Sequence, residues 1–440
     1  MKKKIKIIFV IILIIIFILA FSTVAYIAPY LLPFEVLESM RSLRDFLQEF
    51  TRVSERNIGV SLKAEIHDNN FKVEEFVTGL KQPTQIAFIG NDLLVLEKNT
   101  GKVRLVRDGI VQTESVLDVE VGANNESGLL GIVSVDSFVY LYFTESEEDG
   151  KQSFANNVYR YTWDGIALNN PLLLNTFSSQ SPWHNGGGIT ANKEGNVFLI
   201  IGDQIGEGKN SKTAYTILQN YDNGTIDDSG VIVNIGLDSN VKQPKLAQDP
   251  LSHYYAVGIR NSFGLAIDPI TGNMWDTENG QDDYDEINLV PPKFNSGWAV
   301  VMGPATEEQI LKIPPLGDFQ YSDPEFSWEK TVSPTGITFL NSDLFFKYKN
   351  DMLVGTCNTG QLFKFKLNEE RNQLVFATSH LQDHIANFIT LENEQKDFET
   401  LDEIIFGSGF GCITDVEMGS DGLLYVVSIS DNTIYKILPK

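Results

Sequence analysis

The feature that most constrains this chain is a strand module that recurs from about residue 71 onward. Each copy reads as an apolar strand, a turn carrying Gly, Asp or Asn, a second apolar strand, and another turn. Copies include IAFIGNDLLVLEKNTGKVRLV from Ile86, ITANKEGNVFLIIGD from Ile189 and LAIDPITGNMWDTENG from Leu265. ITFLNSDLFFKYKNDMLVGTCNTGQLFKFKL from Ile337 and VEMGSDGLLYVVSISDNTIYKI from Val416 follow the same plan. One such module cannot bury its own apolar face, but neighbouring copies can bury each other's. The pattern therefore predicts an all-β propeller over residues 71–440, with long insertions between strands. A β-sandwich would need no internal similarity of this kind. The 35 Gly and 28 Phe suit many short strands joined by tight turns. In a propeller the loops of the innermost strands meet at one end of a central channel, so motifs far apart in sequence converge there.

Two shorter segments come first. Lys2, Lys3, Lys4 and Lys6 precede residues 7–32, which carry no charge. That run exceeds the roughly 20 helical residues that cross a bilayer. It also continues past Ser22-Thr23-Val24-Ala25, a poor cleavage site. Residues 1–32 are thus expected to be a membrane anchor or uncleaved signal, a transmembrane helix whose basic flank stays in the cytoplasm. The globular part is expected outside, extracytoplasmic and held at the membrane. Within residues 33–70, Leu37, Met40, Leu43, Phe46, Leu47, Phe50 and Val53 recur at three- and four-residue steps. This predicts a short amphipathic juxtamembrane helix followed by a linker.

The net charge of −24, with no basic stripe, excludes nucleic acid as a partner. It is otherwise what a solvated acidic surface gives. Only two cysteines occur, Cys357 and Cys412, which excludes a disulfide scaffold or a cysteine-rich zinc site.

Three segments break the strand pattern with polar residues. In Trp183-His184-Asn185-Gly186-Gly187-Gly188 a histidine stands beside glycines that let a ligand or backbone come close. Asp203 ends the apolar strand Ile200-Ile201-Gly202. Arg260-Asn261 precedes a strand, and the acidic run from Glu278 through Asn288 follows. Taken singly, each has a structural reading: a turn histidine, a loop brace, and either a solvated tip or a calcium site built from carboxylates and carbonyls.

Taken together they are similar to a known family. The chain resembles the glucose/sorbosone dehydrogenases, six-bladed propellers that include the soluble quinoprotein glucose dehydrogenases and aldose sugar dehydrogenases. The shared markers are Glu126-Ser127-Gly128-Leu129-Leu130-Gly131, the HNGG segment at His184, and Gly202-Asp203. GIRNSFGLAIDP from Gly258, DEINLV from Asp285, NSGW from Asn295, SPTG from Ser333 and DGLLYVV from Asp421 complete the series. The resemblance implies pyrroloquinoline quinone (PQQ) and Ca2+ on the propeller axis. The implied reaction oxidises an aldose C1 hydroxyl to the lactone, with electrons passed to an external acceptor. His184 would be the general base, Asp203 its orienting partner, and Arg260 the group that polarises the quinone. Glu126, Asn261 and Thr331 match cofactor contacts, and the carbonyls of Gly280 and Gln281 match calcium ligands.

The departures from the family fall in one place. Its members hold the PQQ carboxylates with a late lysine and an Arg-x-Arg-Asp-Val motif. Here those positions read Asn358, Cys412 and Thr414, and Gly188 replaces an arginine after the histidine motif. A charge-assisted hydrogen bond contributes about 1.5–3 kcal/mol, so three lost cations matter. Three explanations stay open: cations reaching in from elsewhere, a less anionic ligand, or a non-catalytic binding propeller. A calcium-dependent lactonase-type hydrolase is a further alternative. The same alignment places Cys357 and Cys412 beside the cofactor site, either bridged or as two buried thiols.

Overall fold

The computed structural model describes residues 63–440 except 152, 180, 205–227, 237–250 and 387–400. The expected membrane anchor and amphipathic helix lie outside the described residues. Among the described residues, no helix is long and apolar enough to cross a membrane.

The described strands form six sheets. Each begins with an innermost strand: Pro83–Ile89, Leu129–Val135, Ile189–Ala191, Ser262–Ile267, Pro334–Phe339 and Ile413–Met418. Each innermost strand touches the next around the molecule, and the last touches the first. The result is a closed ring of radiating sheets, which is the all-β propeller expected from the repeated module.

The second strand of each sheet explains why the sequence reads as apolar runs and not as simple alternation. Val197–Ile201, Met274–Glu278, Met352–Thr356 and Leu424–Ser428 are buried at every position. A strand sandwiched between two neighbouring sheets is covered on both faces, so both sets of side chains are buried. Six hydrophobic clusters fill the six gaps between adjacent sheets. The aromatic-rich one holds Trp275, Trp328, Phe326, Phe363 and Phe365 between the fourth and fifth sheets. The abundant Phe in the sequence is spent in these wedges.

At the axis the innermost strands crowd together. A Cβ on Gly264 would lie 2.0 Å from Thr335 O, and one on Gly336 would lie 2.5 Å from Val416 N. Only glycine lets these backbones approach. Between the sixth and first sheets the junction is polar instead. The Asp415 carboxylate accepts a hydrogen bond from Ile86 N at 2.8 Å.

The ring is closed by chain ends. Phe71–Thr78 pairs antiparallel with Thr433–Pro439, so the sixth sheet takes three strands from the C-terminal end and one from residues 71–78. Phe71 is 3 % exposed and stacks on Phe345, with ring centroids 5.1 Å apart, beside Phe406 and Tyr348. Replacing Phe71 with Ala should lower unfolding free energy by about 3–5 kcal/mol, the usual cost of deleting a buried aromatic ring. Denaturant unfolding of this variant and of Lys72→Ala, an exposed neighbour, would check it; a loss below about 1 kcal/mol would show that the closing strand is not anchored there.

Candidate active site

Loops at one end of the innermost strands enclose a cavity of about 540 Å3 on the axis. Thr84 and Gln85, Leu130, Gly187, Asn261, Thr335 and Thr414 bring all six sheets to its wall. Of the residues singled out in the sequence, Glu126, Arg260, Asn261, Gly280, Gln281 and Thr331 all line it. So do Asn358, Cys412 and Thr414, the positions where the expected cations are missing. His184 and Asp203 do not line this cavity. They stand behind its wall, joined to it through Glu126, whose carboxylate accepts from His184 N at 2.5 Å.

His184 Nδ1 and Asp203 Oδ1 are 2.6 Å apart, and both side chains are buried. An ionised carboxylate can only accept, so Nδ1 carries the proton and Nε2 is left as the basic nitrogen. The other Asp203 oxygen accepts from the Trp298 indole N–H at 2.7 Å. His184 sits at φ +54°, in the left-handed region, a backbone conformation that costs energy in a non-glycine residue.

Arg260 is held on three sides. Its backbone N–H donates to Glu278 at 2.6 Å, and Nη1 donates to Asn279 O at 2.7 Å and to Gly280 O at 2.9 Å. Its guanidinium carbon lies 5.4 Å from the centre of the Trp298 ring. Next to it, Asn261 Oδ1 is buried with no hydrogen-bond partner among the described residues. A buried acceptor left open in the lining of a cavity is suited to a ligand donor. Burial pushes the Glu126 carboxyl above its ordinary range, opposed by the hydrogen bond from the His184 backbone N–H and by the nearby Arg260 charge.

The opposite wall is neutral. Cys357 and Cys412 form a disulfide that joins the fifth and sixth sheets beside Asn358, which settles the alternative left open by the sequence. Thr414 is turned to Pro83 O at 3.2 Å. The missing arginine at Gly188 also has a steric reason, because a Cβ there would press on Phe263 O at 3.0 Å.

Three residues of interest were given no individual role from sequence. Lys98, at the turn after Asp92–Glu97, lines the cavity. Trp298 appears in the sequence only as part of a marker, and nothing there shows that its N–H meets Asp203. Asp285 lines the cavity and accepts from Gly280 N, Val332 N and Ser333 N, so it acts as a loop clamp.

The chain matches the family model for glucose/sorbosone dehydrogenase over residues 80–436. It belongs to the glucose/sorbosone dehydrogenase family. It is 24% identical over 392 residues to the aldose sugar dehydrogenase YliI of Escherichia coli, covering 84% of this chain and 93% of that protein. It is 27% identical over 266 residues to quinoprotein glucose dehydrogenase B of Acinetobacter calcoaceticus, covering 54% of this chain and 55% of that one. The fold matches the PQQ-bound aldose sugar dehydrogenase of Streptomyces coelicolor with a TM-score of 0.58 at 20% identity, over 85% of this chain and 99% of the other. Family membership, with relatives named as sugar dehydrogenases, is consistent with an oxidoreductase acting on a CH–OH group.

Behind Arg260 lies a buried acidic group. On the paired strands Met274–Glu278 and Asp283–Val290, Asp276 faces Asn288 and Glu278 faces Glu286. Burial raises the pKa of Asp276, and repulsion from Glu278 adds to it. A carboxyl raised by folding is more protonated in the native state, so its own contribution to stability is full below the ordinary carboxyl range and falls away as pH climbs through its raised pKa. Asp276→Asn should flatten that fall by up to one proton, about 1.4 kcal/mol per pH unit at most. Unfolding free energies measured from pH 5 to 8 would show this, and an unchanged slope would mean that Asp276 does not hold a proton.

Proposed function

We propose that this protein oxidises the C1 hydroxyl of an aldose to the lactone, using PQQ in the axial cavity and passing electrons to an external acceptor. The observation that carries this reading is the placement of Glu126, Arg260 and Asn261 in the wall of a single cavity, with the His184–Asp203 pair behind that wall and hydrogen-bonded to Glu126. The cavity volume lies in the range of cofactor sites. Its lining also fits the cofactor: a guanidinium and an ammonium suit a polar anionic ring system, and the open Asn261 acceptor suits a ligand N–H or O–H.

When bound, PQQ supplies a carbonyl that accepts hydride from the sugar carbon. The protein's part is to position groups and move a proton. His184 Nε2 takes the hydroxyl proton, and Asp203 keeps the ring oriented and stabilises its charged form. Arg260, fixed by two carbonyls, stabilises negative charge developing beside it. Glu126 and Thr331 line the cavity and would be among the residues that hold the cofactor. Calcium is proposed on the carbonyls of Gly280 and Gln281, which line the cavity. Gly280 O already accepts from Arg260, so an ion there would lie beside the guanidinium.

An extracytoplasmic location, with the propeller anchored to the membrane by residues 1–32, is part of the same proposal. The Cys357–Cys412 bridge supports it, since disulfides persist in oxidising compartments. The same bridge favours the second reading, a non-catalytic binding propeller, because it occupies the wall where family members carry cations.

Thermal melts of the full chain with calcium, with and without PQQ, separate the two. A ligand that binds only the folded state adds about 2.7 kcal/mol of stability at a concentration 100 times its dissociation constant. The dehydrogenase reading expects a saturable rise in Tm. His184→Ala should keep that rise while losing turnover of aldoses with an artificial acceptor by a factor of about 100 or more. No rise at saturating PQQ would favour the binding propeller, and full turnover in His184→Ala would remove the proposed base.

A further inference from the structure

We propose that Lys98 is the cation that receives a carboxylate of the ligand in the axial cavity. The inference rests on the quinone reading above and adds a residue to it. Among the described residues, Lys98 and Arg260 are the only cationic side chains that line the cavity. Arg260 already has its Nη1 engaged by two carbonyls. The wall formed by Asn358, Thr414 and the disulfide contributes no charge.

The surroundings of Lys98 fix its ammonium in place without neutralising it. Its backbone N–H donates to Gln82 O at 3.0 Å, and its carbonyl accepts from Leu129 N at 2.9 Å, so the residue is clamped between the first two sheets. A Cβ on Gly128 would come within 2.7 Å of Lys98 Cγ, so the stem lies directly against a glycine. Nζ donates to Asn125 O at 2.7 Å and to Asn99 Oδ1 at 3.1 Å. Both acceptors are neutral, and among the described residues no carboxylate forms an ion pair with it. An ammonium has three N–H groups, which leaves one unassigned.

A lysine whose only role is solubility extends into water and keeps its ordinary pKa. Burial pushes this one down to about 8, a loss of water that the Glu126 charge offsets only in part. Holding a poorly compensated cation against a cavity is costly unless an anion comes to it. A charge-assisted contact to a carboxylate would supply that anion, and would replace part of what the positions at Asn358, Cys412 and Thr414 have lost.

The test is direct binding, not turnover. PQQ is titrated into the full chain while tryptophan fluorescence is followed, using wild type, Lys98→Met and Lys98→Arg. The trimethyl ester of PQQ is titrated alongside. Loss of one charge-assisted contact predicts a dissociation constant about 10–100 times weaker for Lys98→Met, with most of the affinity kept in Lys98→Arg. The ester should bind wild type more weakly than PQQ and should be indifferent to Lys98→Met. If PQQ binds wild type and Lys98→Met within twofold, the Lys98 assignment is wrong and the quinone reading stands. Should Lys98→Met fail to fold, the ester comparison on wild type decides, and equal affinity for ester and acid overturns the assignment. If PQQ does not bind wild type at all, the quinone reading falls and this one falls with it.

Discussion

The whole architecture depends on how closely six backbones can approach one axis. At Gly264 and Gly336 the neighbouring strand sits where a side chain would begin. At the last junction the Asp415 carboxylate reaches across to Ile86 N instead. These contacts set the radius of the ring. The ring radius sets the spacing of the wedges, and the wedges must then be filled by Trp, Phe and branched aliphatic side chains at interior density. The axial cavity is the space left where the loops diverge from that crowded centre.

The fold was legible because its signal is repeated and local. A two-strand module with a turn is readable from sequence, and its repetition forces mutual burial. The fully buried second strands appear as unbroken apolar runs such as Val197–Ile201. The axis was less legible. Nothing in the sequence near Gly264 says that Thr335 O will stand 2.0 Å from a hypothetical Cβ, since that contact joins segments distant in the chain.

The candidate site divides along the same line. Arg260, Asn261, Glu126, Gly280, Gln281 and Thr331 were found because they belong to motifs, and the fold brings them to one wall. Lys98 and Trp298 act through contacts across sheets, which no local pattern encodes. His184 and Asp203 pair as expected, but they stand behind the cavity wall and not in it. The Cys357–Cys412 bridge needed the structure because the two residues come from different sheets. In charge terms the site is lopsided. One end concentrates Arg260, Glu126 and, behind it, the His184–Asp203 pair, while another wall is a covalent staple flanked by amides and hydroxyls.

The seam between Phe71–Thr78 and Thr433–Pro439 joins strands from opposite ends of the propeller sequence. Most of the chain must be made before this sheet can exist, and long-range pairing of this kind slows folding. Until the last strand arrives, Leu424–Ser428 and Phe71–Thr78 each present an edge with unpaired peptide groups, the surface on which chains associate wrongly. A product that stops short of residue 433 would therefore carry a permanent open edge on both sides of one gap. Its fate would be set by aggregation and proteolysis, whatever the condition of its cavity.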